Sequence, residues 1–403
     1  FFQAHAGIRD PLWSRGLGDV YKRQIHIYHV AMPLIDPWVT AYGADYDTHS
    51  ILLKLISGND VAWAETCSLE LPTYSSESVN SVFYNLSEVF SPKILGNDYE
   101  SSDQLNNDLK IYKGNPFAKA GLDIGWWCLL SKINNLPLHD LIGGKRKEVV
   151  AGADFGVEDS IDILLEKIQI AVDKSAPRVK LKVRKGWDLE VLKAVKSTFP
   201  STLFHIDCNS GYTLEDIDFF KSIDDFGLAF IEQPLSNDDI LDHSKLARSI
   251  ETPICLDESI SSVDRARQAI EIGACEYINI KPGRVGGITN SLKINEMSEQ
   301  AGIPVWIGGM LESALGASIC IELATLPNCT YPADVFPSSN YYETDLCSPD
   351  LKLTPNLTFK TNTGSLPQPD KERLRKQTYL YKEICLLYTS PSPRDQRGSR
   401  NPW

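Results

Sequence analysis

The chain has 403 residues, 42% hydrophobic and 23% charged, an ordinary globular composition with room for one large domain or two of average size. Its 40 Lys+Arg against 53 Asp+Glu give a formal net charge of −13, which argues against nucleic acid as a partner and favours solubility through self-repulsion. No run of about 18 apolar residues exists, so the reading excludes a membrane-spanning helix.

The two ends stand apart. SRGLGDVYKRQ (14–24) and CLLYTSPSPR (385–394) are unrelated as peptides, yet one DNA word encodes the first and its reverse complement, read one base over, encodes the second. Together they resemble a translated sequencing-library adapter. Residues 1–24 and 385–403 are therefore set aside as adapter-like, non-native tails. Ile25 then opens in the middle of a strand-like pattern, IHIYHVAMPL, so any targeting peptide would have been lost with the true start.

Residues 25–145 read as an N-terminal α+β capping domain. YHVAMPLIDPWVTAYG and HSILLKLISGNDVAWAE are antiparallel strands with GND as the turn signal, and helical patterns follow around 76–92 and 115–135. The boundary falls in LIGGKRKE (141–148). From 146 to 339 short apolar segments alternate with amphipathic ones. The strand candidates are VVAGADFG, VKLKV, LFHIDCN, LAFIEQP, PICLDES, YINIKP, PVWIGGM and, weakest, YPADV. Between them, TLEDIDFFKSI starts with a capping box from Thr213 to Asp216, and SVDRARQAIEIG stops at Gly273. The fold class is α/β, a (β/α)8-type TIM barrel. An open doubly wound sheet would carry a glycine-rich phosphate turn after its first strand, and ADFGVEDS is not one. Residues 340–384 are expected to return and pack on the cap. The nine cysteines form no CxxC pair or zinc spacing. Cys255 and Cys320 sit in apolar runs and read as buried thiols of a reducing cytoplasm, the expected compartment.

One spacing carries the chemistry. Lys182, Asp207, Glu232 and Asp257 follow at intervals of 25 residues, and Lys281 comes 24 after Asp257. Each ends an apolar strand, so in a barrel all five converge at the carboxyl mouth. Three carboxylates on adjacent strands call for a divalent cation, and all-oxygen ligation favours Mg2+ before Mn2+ or Ca2+. Lys180 and Lys182 share one strand face. A neighbouring ammonium or a dication lowers a lysine's pKa, which makes Lys182 a candidate base, with Lys281 facing it across the metal. His205, two before Asp207, reads as a hydrogen-bonded barrel filler one layer deeper.

VKLKV, IDCNSGYT, FIEQPL, ICLDES, NIKPGRVGG and VWIGGMLES resemble the enolase superfamily, and more closely its o-succinylbenzoate synthase / N-succinylamino acid racemase branch. The likeness runs through nearly all of 25–384 and takes in ELPTYSSES of the cap. It implies that Asp207, Glu232 and Asp257 are magnesium ligands, with Mn2+ an alternative. Lys182 would be the proton-abstracting base and Lys281 the lysine on the opposite face. The implied reaction is dehydration of 2-succinyl-6-hydroxy-2,4-cyclohexadiene-1-carboxylate to o-succinylbenzoate in menaquinone biosynthesis, through a metal-stabilised enediolate. The alternative is an N-acylamino acid racemase or related epimerase using the same two lysines. The partner is a small anionic carboxylate, and a homo-oligomer stays open. Lys180, Asn209 and Arg284 are expected at the substrate, and DPWVTAYGA (36–44) matches a loop that closes over it, with Trp38 and Tyr42 as lid candidates. Asp154 departs from the small polar residue usual at its position. It should repel an anion unless it points away or pairs with a lysine, or unless the substrate differs from the usual one.

Overall fold

The structure, a computed structural model, describes residues 22–40 and 43–387. Tyr42 lies outside them. The cap is a four-stranded antiparallel sheet in which Lys22–Thr40 lies between Gly43–Ser57 and Thr378–Leu387, with Asp60–Thr66 at the far edge. Gly58, at φ 60°, supplies the left-handed residue of the tight turn before Asp60. Ile51 and Leu53 project from the second strand into the cap core, and the helix Pro116–Asn134 packs on them. That helix approaches closely because Gly125 faces Leu55: a Cβ there would lie 2.6 Å from Leu55 Cδ1.

The second layer is a parallel sheet of seven strands in strict chain order: Ala153–Phe155, Val179–Lys182, Phe204–Asp207, Ile231–Glu232, Ile254–Leu256, Tyr277–Ile280 and Val305–Ile307. YPADV closes the circle without forming a ladder. Ala333 bridges Ala151 on one side, while Asp334 bridges Gly308 on the other. Pro332 has no N–H to give, which keeps this eighth segment to isolated bridges. The barrel is thus closed as expected, with one difference at its start. VVAGADFG splits at Gly152: Glu148–Val150 pairs antiparallel with Thr358–Lys360, and only Ala153–Phe155 enters the parallel sheet.

The barrel interior is filled in layers. Phe230, Cys255 and Trp306 form its buried floor with Tyr277 and Tyr331 around them. His205 is fully buried there, its Nδ1 3.0 Å from Tyr331 Oη and its ring 4.4 Å from that of Phe230. Phe230 and Cys255 each stand two residues before a strand-tip carboxylate, so period-2 alternation places those carboxylates one layer higher. The capping box is present, Thr213 N–H donating to Asp216 Oδ2 at 2.9 Å, and Gly273 ends its helix at φ 64°.

The C-terminal segment returns to the cap. Thr378–Leu387 pairs with Lys22–Val30, and the ladder continues through Arg23 and Gln24 opposite Leu386 and Cys385, past the tail boundaries drawn from the sequence. Backbone pairing is indifferent to side-chain origin, so an extended tail prolongs a strand it happens to follow. Eight of the described cysteines are buried free thiols and Cys385 is exposed. Among the described residues no helix is long and apolar enough to cross a membrane.

Candidate active site

The five spaced residues meet at one end of the barrel. Asp207 and Glu232 end adjacent strands as register partners, and Asp257 follows Leu256 directly. All three carboxylates are buried. Strained backbone fixes two of these tips, for Asn209 stands at φ 41° and Gln233 at φ 38°. Gln233 offsets that strain through its side chain. It accepts hydrogen bonds from the backbone N–H of Asp257 (3.0 Å) and Ser259 (3.1 Å) and donates to Ser259 Oγ at 2.7 Å.

Cations lie over the carboxylates. Lys182 Nζ donates to Asp207 Oδ2 at 2.6 Å and to Asn209 Oδ1 at 2.7 Å. Lys281 Nζ lies 3.1 Å from Asp257 Oδ2 and 4.7 Å from the ring centroid of Tyr74. Lys180 Nζ is 2.8 Å from Asp334 Oδ2, 3.0 Å from Asp207 Oδ2 and 3.2 Å from Glu232 Oε2. Burial works against the charge of Lys180, but these carboxylates raise its pKa well above that of a free lysine. Lys281 is likewise raised, burial being overcome first by Asp257. Burial would lift Asp207, yet Lys180 and Lys182 hold it below the usual carboxylate range. Asp257 is lowered against its burial by Arg284 and Lys281.

Glu232 behaves differently. Burial, and then the charge of Asp207, push it up to about 7 despite Lys180. Its Oε2 is buried and accepts no hydrogen bond. Lys180 Nζ at 3.2 Å and His205 Nε2 at 3.5 Å lie beside it, and a buried carboxylate oxygen without a hydrogen bond suits a hard dication. Among the described residues no three acidic, His or Cys side chains already converge as a metal cage, because the lysines and Arg284 pair with the carboxylates instead. By donor chemistry, three carboxylates at the ends of consecutive strands, Asp207, Glu232 and Asp257, suit a hard cation.

Above them lies a cavity walled by Lys180, Lys182, Asn209, Lys281 and Asp154, with Trp38 and Tyr74 contributed by the cap. Trp38 meets Tyr341 edge-on at 6.1 Å. Arg284, expected at the substrate, is not on this wall. It is buried beneath Asp257, with Nε donating to Ile260 O at 2.9 Å and its terminal nitrogens to Tyr74 Oη, Asn279 O and Asp257. These four hydrogen bonds all go to groups within the protein, so its work is to anchor Asp257. Asp154 does line the cavity, but its main partner is an arginine, Arg178, rather than a lysine. Arg178, Asp334, Tyr74, Gln233 and Glu258, whose Oε1 accepts from Asn209 Nδ2 at 3.1 Å, lie at the site without a signal in the strand-to-strand spacing. Arg178 had a signal, standing two before Lys180 in RVKLK and hence on the same face.

Two family descriptions match: the mandelate racemase / muconate lactonizing enzyme N-terminal domain over residues 22–143, and the enolase C-terminal domain-like family over 164–364. An N-succinylamino acid racemase of Thermus thermophilus is 40% identical over 326 residues, 81% of this chain and 88% of that protein. The chain belongs to the o-succinylbenzoate synthase / N-succinylamino acid racemase branch of the enolase superfamily. The o-succinylbenzoate synthase of Bacillus subtilis is 38% identical over 331 residues, 82% of this chain and 89% of that protein. An enolase superfamily structure from Listeria innocua superposes with a TM-score of 0.86 at 30% identity, over 91% of this chain and 99% of that one. As a member of this branch the protein is an enzyme, and superfamily members generally use Mg2+. Near-equal likeness to relatives of two names identifies the branch, not the reaction.

Proposed function

We propose that this member of the branch is an o-succinylbenzoate synthase, a Mg2+-dependent dehydratase acting on 2-succinyl-6-hydroxy-2,4-cyclohexadiene-1-carboxylate in menaquinone biosynthesis. The observation that carries this reading is the placement of two lysines. Lys182 and Lys281 end strands separated by three others in the sheet, and those three present Asp207, Glu232 and Asp257 between them. A substrate carboxylate bound over the acids then has an amine on each side.

Asp207, Glu232 and Asp257 would hold the dication, which when bound draws electron density from the substrate carboxylate and makes the adjacent C–H more acidic. Lys180 places a cation at the cavity wall for an anionic group of the substrate. Lys182 Nζ, at the cavity wall beside Asp207 and Asn209, is placed to take the α-proton as an amine. The same Nζ then returns that proton to the departing hydroxide. Lys281, as an ammonium on the far side of the three acids, stabilises the negative charge from the opposite side. Trp38 and Tyr74 line the cavity from the side of the cap.

A second reading, N-succinylamino acid racemisation, is favoured by the 40% identical relative of that name. There Lys281 donates its proton to the face opposite Lys182. Turnover with Mg2+ of the cyclohexadiene carboxylate and of N-succinyl amino acids, assayed side by side, tests both. Dehydration faster than racemisation supports the proposal, and racemisation without dehydration replaces it with the second reading.

A further inference from the structure

The seam between the first and last barrel segments holds charges that the proposed reaction leaves unused. Arg178 has no exposed side chain. Its guanidinium forks between two strands. One terminal nitrogen donates to Asp154, and the other to Asp334 Oδ1 and Ala333 O, each at 3.1 Å. The plane lies 5.3 Å from the ring centroid of Trp306. Space for it comes from Gly152, where a Cβ would stand 2.0 Å from Arg178 Nε. Asp154 and Asp334 line the cavity, while Arg178 does not. Lys180 Nζ, which does, sits 2.8 Å from Asp334 Oδ2 and 3.8 Å from Asp154 Oδ2.

Burial, with Asp334, pushes the Asp154 carboxyl up to about 8, and the Arg178 guanidinium opposes that rise; with Asp154 ionised against Arg178, the two carboxylates and two cations of the seam offset one another. Without the guanidinium, Asp154 and Asp334 would share Lys180 alone, and an anion entering the cavity would meet net negative charge. We propose that Arg178 is a positioning residue that pairs with Asp154 and shares Asp334 with Lys180, so that these two carboxylates do not cancel the ammonium of Lys180 toward an anionic group of the substrate. The inference deepens the reading above and rests on its anionic substrate. It also resolves the departure at Asp154. An aspartate can stand beside an anion site because its charge is matched from below, by an arginine that a glycine makes room for.

The test is a double-mutant cycle on the Mg2+-loaded enzyme with Arg178→Met and Asp154→Asn, reading the Kd of succinate, a simple dicarboxylate, by calorimetry. Turnover is measured in parallel. One unit charge at a partly screened wall is worth about tenfold in anion affinity. Arg178→Met is expected to weaken succinate by about that factor, Asp154→Asn to tighten it several-fold, and the double variant to return near wild type. KM for the cyclohexadiene carboxylate should follow the same signs with kcat changing less. A purely structural arginine would instead lower kcat and stability without opposite movements in affinity. An unchanged Kd in folded Arg178→Met, weaker binding in Asp154→Asn, or no succinate binding by the wild type overturns the role. If Arg178→Met does not fold, the sign of the Asp154→Asn effect decides. Kd values that move as stated without turnover count against the proposed reaction alone. Normal turnover with unmoved Kd values counts against this role alone.

Discussion

The two sides of the barrel mouth are charged in different ways. From Lys182 round to Lys281, each strand gives one charged residue at its tip, and neighbours in the sheet are neighbours in the ion pairs, as in Lys182 with Asp207 and Lys281 with Asp257. At the seam, Arg178 comes from a deeper layer and Asp334 from a segment with only isolated bridges, and these partners stand 156 residues apart. The first side is built by repetition of one strand-and-helix unit, whereas the second is built by closure of the circle. Repetition leaves a period in the sequence, and closure leaves none.

The largest expected effect lies on the repeated side. Lys182→Ala should lower turnover by about 10³-fold, the scale of a lost general base, whichever substrate is used. Retained turnover would remove Lys182 from that role. Next, Lys281→Arg keeps a cation against Asp257 but is a poor proton donor. It should cost racemisation on the order of 10²-fold and dehydration markedly less, as compared by the two assays in parallel. Equal losses would dissolve the distinction between a stabilising and a proton-donating lysine. On the seam, Gly152→Ala drives a methyl into the Arg178 guanidinium and should lower stability by about 1–3 kcal/mol, read from the urea midpoint. An unchanged midpoint would show that the close approach is not needed.

The smallest effect lies outside both sides and serves as their control. Burial, with His49 adding to it, lowers the pKa of His29 to about 4 from 6.5. Folded His29 therefore stays neutral where the unfolded chain takes up a proton. Its contribution is present above pH 6.5 and is lost as pH falls toward 4. His29→Gln should flatten part of the fall in melting temperature across that window while leaving the barrel chemistry alone. An identical slope would contradict the assignment.

Much of the barrel was legible because apolar runs ending in a charge are hard to read otherwise. Glu232 ends a strand of only two residues, Ile231–Glu232, yet LAFIEQP announces it, since a carboxylate closes an apolar run. The strand character of YHVAMPLIDPWVTAYG was legible too, and Trp38 stands across from Asp45 in its ladder. The roles of Arg284 and Tyr74 were not. Tyr74 Oη reaches Asp257 across 183 residues, a contact between cap and barrel that no local pattern records. Arg284 sits close enough in sequence to Lys281 to suggest the substrate, but its direction depends on the helical turn Pro282–Val285, which points it under Asp257. Arg178 was within reach, because the alternation that joins Lys180 to Lys182 extends one step back to it.

The central claim is that two lysines address opposite faces of one carbon. It is tested most directly by following α-proton exchange in D2O, with Mg2+, for each enantiomer of an N-succinyl amino acid in wild type, Lys182→Ala and Lys281→Ala. The account predicts exchange of both enantiomers by wild type, and of one each, opposite in hand, by the two variants. Exchange of both enantiomers by either variant would contradict it.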